Sequence, residues 1–367
     1  MENTNLQVID LKEAGRQAGR DCKKAASKCN FGVLVYLLVT TVVALVFSFG
    51  LQFINAFISP GLIDTILTTP LGYNLYVGLS QVIIMYVIGY PVFHVMTKHL
   101  ERRDTSVKEN LKFFEFIKIV IGIVGVMLIG SLVSGFVTDS INAQLGIVVE
   151  DTTSEVVQSL SIWTVILIFV IIGPIFEELI FRKVFIDTIG KYNIRLAIFI
   201  SGASFALFHG NITQAIYTFA GGLMLAWVYA KTKNFIYPVL LHMSLNFFGT
   251  VPSLIASDSY DRLMQMTDEE IAMSTDPQVL QDIMILNGYN ILIYGFIGIG
   301  GLIVLSMLLG GGFKLKKDEN EVKIPFFKKL GVLLFNAGTF FFVVYSIIVI
   351  VFAIFEPVIM QMLENAA

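Results

Sequence analysis

The chain has 367 residues, of which 56% are hydrophobic and only 14% charged, against roughly 25% charged in a soluble domain. That excludes a water-soluble enzyme and predicts an all-α, polytopic membrane protein. The net charge of −3 says little by itself, because charge in such a chain sorts by loop. No nucleic-acid partner is predicted.

Residues 1–30 form a polar segment in which Lys12, Arg16, Arg20, Lys23, Lys24 and Lys28 suit a cytoplasmic surface helix near anionic headgroups. Cys22 and Cys29 fit no zinc spacing and read as structural, reduced thiols. The first apolar run is too long for a cleavable signal and reads as a signal anchor over 31–58.

Nine runs are then expected to cross the bilayer, near 31–57, 72–97, 113–137, 160–184, 195–210, 213–230, 235–256, 288–310 and 330–355, with eight as the lower bound. The first three (31–154) and last two (288–367) are accessory. Spans four to seven form a four-helix core over 155–256, and 257–287 is expected to be an extracytoplasmic loop with a short amphipathic helix around 264–273. Glycines such as Gly222, Gly295, Gly298, Gly300 and Gly301 predict close helix packing.

Basic residues fall in alternate loops: Lys98, Arg102, Arg103, Lys108 and Lys112; Arg182, Lys183, Lys191 and Arg195; Lys231 and Lys233; and Lys314, Lys316, Lys317, Lys323, Lys328 and Lys329. Segments 59–70 and 138–159 have none, and the tail carries Glu356 and Glu364. The positive-inside rule then predicts a multi-pass protein, of the cell membrane, with a cytoplasmic N-terminus and an extracytoplasmic C-terminus.

Glu177 and Glu178 interrupt the fourth apolar run. A carboxylate at mid-membrane costs about 2.5–3.5 kcal/mol, so two in succession predict a wet or protein-lined cavity where an ionisable group works. Adjacent helical residues point about 100° apart, so the two cannot share one direction. Glu178 and Arg182 are i,i+4 and can pair, which leaves Glu177 to face the cavity; the reverse assignment stays open. Phe205 and His209 share a face of the fifth span, and His242 and Asn246 a face of the seventh. Counted from the turn near 190–193, Glu178 and His209 both lie roughly 20–25 Å into the membrane.

Such a set admits two chemistries. A glutamate can deprotonate a water that attacks a peptide carbonyl, with His and Asn donors stabilising the oxyanion. Alternatively Glu177, His209 and His242 can bind zinc, although Asn246 suits an oxyanion better than a metal and no His-Glu-x-x-His motif is present. The expectation is no cofactor, with zinc as the alternative.

At these residues the chain resembles the CAAX-processing and bacteriocin-processing intramembrane proteases (the CPBP or Abi family). It carries Glu177-Glu178-Leu-Ile-Phe-Arg182, Phe205-Ala-Leu-Phe-His209 and His242-Met-Ser-Leu-Asn246 in the family's order. The resemblance implies a glutamate-dependent endopeptidase whose conical cavity opens to the cytoplasm. By that analogy Glu177 is the general base, assisted by Glu178, which Arg182 orients. His209 positions the water, and His242 and Asn246 form the oxyanion site. It also implies a membrane-associated or lipid-modified peptide substrate. A non-catalytic scaffold or immunity protein, binding a membrane partner through its accessory helices, and a proton-coupled transporter are the competing readings. The transporter would need matched broken helices, for which Gly173-Pro174 is the lone candidate.

Overall fold

The computed structural model describes residues 2–149, 152–315 and 324–364. Its long helices follow the apolar runs in order: α1 (Glu13–Phe57), α2 (Pro70–Thr97), α3 (Phe113–Leu145), α4 (Ile162–Ile189), α5 (Ile194–Phe208), α6 (Ile212–Thr232), α7 (Ile236–Met264), α8 (Pro277–Leu309) and α9 (Ala337–Ile359). Among the described residues eight are long and apolar enough to cross a membrane, and α5 is apolar but shorter. No strand occurs among the described residues. The protein is an all-α polytopic membrane protein.

Two boundaries differ from those read in the sequence. The polar N-terminal segment does not lie on the headgroups as a separate helix but continues directly into the first span. The cause is a buried stripe at helical spacing, Cys22, Ala25, Ala26, Cys29 and Val33. It packs into one cluster with Phe185, Ile186 and Ile189 of α4 and with Val332 of the short helix Phe326–Leu334. The expected loop 257–287 is also mostly helix, leaving 265–276 between α7 and α8. The two helices stay paired past the apolar run because Arg262 grips the buried Asp282 (Nη2–Oδ1 2.6 Å, Nε–Oδ2 2.8 Å) and Ser259 adds a bond at 2.9 Å. The short helix between them is Asp268–Met273, started by a capping box of Thr267 and Glu270. Of the charged residues that set the predicted orientation, Lys316, Lys317 and Lys323 lie outside the described residues, as do the side chains of Lys12 and Glu364.

Glycine packing is selective. A Cβ on Gly300 would stand 2.4 Å from the Ile121 carbonyl oxygen and 2.9 Å from Gly125 Cα, so α3 and α8 touch backbone to backbone there. Gly295 and Gly298 have nothing within 4 Å of such a Cβ and take no part in close packing. Gly300→Ala is therefore expected to destabilise by about 1–3 kcal/mol, read as a lowered unfolding midpoint in detergent. Gly298→Ala should stay within about 0.5 kcal/mol of the parent.

The end of the bundle that carries the basic loops is closed. Segment 98–112 crosses it, with Arg103 N–H donating to the Asp187 carbonyl (2.7 Å) and Glu109 N–H to the Thr232 carbonyl (2.8 Å). The buried Asp187 carboxylate gathers Arg103 Nε (3.2 Å), Lys183 Nζ (3.0 Å) and the Tyr229 hydroxyl (2.9 Å). Lys191 and Glu101 pair on the outside of the same end. His94 and His99, at that end of α2, are exposed, as the sequence suggests.

Candidate active site

The site is built on an irregularity in α4. Residues Ile166–Ile172 wind in wide turns, with Gly173 N–H donating to the Ile168 carbonyl five residues back. In that register the Phe169 carbonyl would be met by residue 174, but Pro174 has no N–H. Asn246 Nδ2 donates to Phe169 O instead, at 2.8 Å. One amide thus bolts α7 to the weak point of α4, just before the glutamates.

This role can be measured. Asn246→Ala should cost about 1–3 kcal/mol by leaving a carbonyl unsatisfied. In a Pro174→Ala background the cost should shrink, because an alanine N–H can reach the same carbonyl. A double-mutant cycle that shows purely additive effects would remove the bolt.

The two glutamates have different surroundings. Glu178 is fully buried, with Oε2 3.0 Å from Arg182 Nε and Oε1 2.8 Å from His242 Nδ1. Arg182, also fully buried, is near Glu178 in distance but not aligned as a hydrogen-bond donor, and its three nitrogens have no hydrogen-bond partner among the described residues. Its guanidinium lies over the Phe205 ring, 4.5 Å from the centroid, so charge and ring face supply the attraction. The Glu177 side chain is 21% exposed and stands 3.6 Å from His242 Nε2 at its Oε2, too far for a hydrogen bond.

Phe205 is the platform of the site. Its ring meets those of His209 (4.8 Å) and His242 (5.5 Å) nearly at right angles, besides carrying Arg182. His209 caps the end of α5, where Gly210 turns the chain at φ 62°. His209 Nδ1 lies 2.8 Å from the Phe205 carbonyl oxygen. A carbonyl only accepts, so Nδ1 carries the hydrogen and Nε2 of the neutral ring is an acceptor. The same reasoning makes His242 Nδ1 the donor to an ionised Glu178, leaving Nε2 turned towards Glu177.

Glu177, His209, His242 and Asn246 line one cavity of about 690 Å³. All seven residues singled out in the sequence therefore gather in one place, with Glu178 and Arg182 packed behind it. The cavity extends along α3, α6 and α7 past Ser134, Thr138, Gln214, Thr218 and Ser253 to Val149, Thr153 and Val157. Its lining thus runs towards the end of the bundle opposite the basic loops. The basic end is closed by Asp187 and its partners and by the N-terminal half of α1.

These hydroxyls and amides on the walls escaped the sequence reading. The available signal was periodicity, since Ser134 and Thr138 are i,i+4, as are Gln214 and Thr218. Such pairs are common in membrane helices as packing contacts, so spacing does not single them out.

Among the described residues, no three His, Cys, Asp or Glu side chains are grouped so that they could hold a metal ion. With both Nδ1 atoms committed to Phe205 and Glu178, Nε2 is the ring atom that each histidine offers to the cavity.

Residues 159–248, which contain every one of these motif residues, match the family described as type II CAAX prenyl endopeptidase Rce1-like. The chain is 32% identical over 101 residues to "Putative membrane peptidase YdiL" of Bacillus subtilis (strain 168), covering 27% of this chain and 41% of that protein. It is 36% identical over 80 residues to "UPF0177 protein YxdF" of Lactococcus lactis subsp. lactis (strain IL1403), covering 22% and 44%. A second protein of that strain, "UPF0177 protein YvdC", is 25% identical over 227 residues, covering 60% and 85%. The chain thus spans less than half the length of the first two of these relatives. No solved structure matches.

Proposed function

We propose that this chain, whose residues 159–248 match the Rce1-like CAAX endopeptidase family, is an intramembrane endopeptidase that cleaves a membrane-associated or lipid-modified peptide. The observation that carries the reading is the unequal fate of two adjacent carboxylates. Glu178 is spent on Arg182 and His242, whereas Glu177 faces a cavity large enough for a peptide.

Glu177 takes a proton from a water, whose oxygen attacks the peptide carbonyl carbon. The same proton passes to the departing amine nitrogen as the C–N bond breaks, so nothing is oxidised and the carboxylate is regenerated. His209 Nε2 accepts a hydrogen bond from the attacking water and aims it. The remaining Asn246 amide hydrogen, and His242 Nε2 when protonated, face the developing oxyanion. Glu178 and Arg182 fix the His242 ring and hold the α4 backbone behind it, so they are positioning residues. No step is routed through a metal, and activity should survive incubation with EDTA; loss that zinc restores would replace this mechanism.

The test is a mass-spectrometric comparison of membrane-associated peptides in cells carrying the native chain and cells carrying Glu177→Ala. Peptides that appear only with the native chain support the reading. Identical peptide sets at equal protein levels would falsify it.

A further inference from the structure

The walls of the cavity say how a peptide reaches it. Histidines apart, the charged residues that line it among the described residues are Asp139 and Glu177, both acidic, with no lysine or arginine. The Ser134 and Thr138 side chains, 3% and 8% exposed, have hydroxyls with no hydrogen-bond partner among the described residues, on a helix where such groups ordinarily bond back to a carbonyl. They lie one turn apart along the cavity wall, as successive donors for an extended backbone would. The other end of the bundle is shut by the contacts of Asp187 and by α1.

Resting on the endopeptidase reading above, we infer that the scissile peptide enters from the face opposite the basic loops as an uncharged or cationic extended segment. By the positive-inside rule that face is extracytoplasmic. Ser134 and Thr138 bond its backbone, and the acidic lining rejects carboxylate-rich segments. The substrate is then a peptide or protein tail that has already crossed the membrane, so a translocation step must precede cleavage.

Sidedness can be read without catalysis. Ser253→Cys and Thr218→Cys place thiols at two depths of the cavity, and Lys108→Cys places one on an exposed position of a basic loop. The parent chain is the blank, because its two cysteines, Cys22 and Cys29, are fully buried. With a membrane-impermeant maleimide on intact cells, the two cavity cysteines should label at least tenfold faster than Lys108→Cys. In inside-out vesicles the order should reverse. Cavity labelling only from the Lys108 side, or from neither side, overturns the inference.

A second arm offers a lysine-flanked and a glutamate-flanked version of one peptide to each preparation. Cleavage of the lysine version on intact cells is expected, at least tenfold faster than the glutamate version. Cleavage only in inside-out vesicles sinks the access route and leaves the endopeptidase reading standing. Outer-face labelling with cleavage of neither peptide in either preparation goes against the substrate assignment. If Glu177→Ala also leaves the cellular peptide set unchanged, the endopeptidase reading fails while the route stands.

Discussion

Glu177→Gln is expected to lower kcat by about 10²–10⁴-fold while leaving KM and the unfolding midpoint close to the parent. The amide has the shape of the carboxylate but cannot take a proton from water. Its stability cost is small because Glu177 is part exposed and makes no close hydrogen bond to His242. Steady-state cleavage of a fluorogenic peptide by purified protein, beside a thermal melt, separates the two effects. Turnover at the parental rate would transfer the general-base role elsewhere, and a collapsed melt would make Glu177 a structural residue instead.

Arg182→Ala is expected to be the most destabilising single change in the site, by roughly 3–5 kcal/mol. It strips the guanidinium from beside a carboxylate that has no access to water, leaving only His242 Nδ1 to satisfy Glu178. It also empties the face of Phe205. Arg182→Lys keeps the charge but loses the planar contact with the ring, and should fall between. Removing both charges in Glu178→Leu/Arg182→Leu should recover much of the stability, because no buried ion is then left unpaired. That double variant should remain inactive, with His242 no longer anchored. If Arg182→Ala melts with the parent, the pair contributes nothing to the fold, and the orienting role given to Arg182 goes with it.

Each of these results depends on which features are local in the chain and which are not. The amino-acid order alone determined that the protein is helical and crosses a membrane many times, and in what order its spans run. It also determined that Glu178 can reach Arg182 and that Phe205 shares a face with His209. Those relations lie within single helices, where the 3.6-residue period sets direction, and in the hydropathy of long runs.

Tertiary structure decided the rest. That His242 lies between both glutamates, and that Asn246 repairs the carbonyl stranded by Pro174, depends on how α7 is rotated and seated against α4. That Gly300 packs while Gly298 does not depends on where α3 crosses α8. The N-terminal helix runs on unbroken into the first span, and its buried stripe packs against the end of α4 and the helix Phe326–Leu334. The end towards which the cavity runs follows from that same closure. Helix rotation, tilt and contact are set by side chains far apart in sequence, so no single segment encodes them.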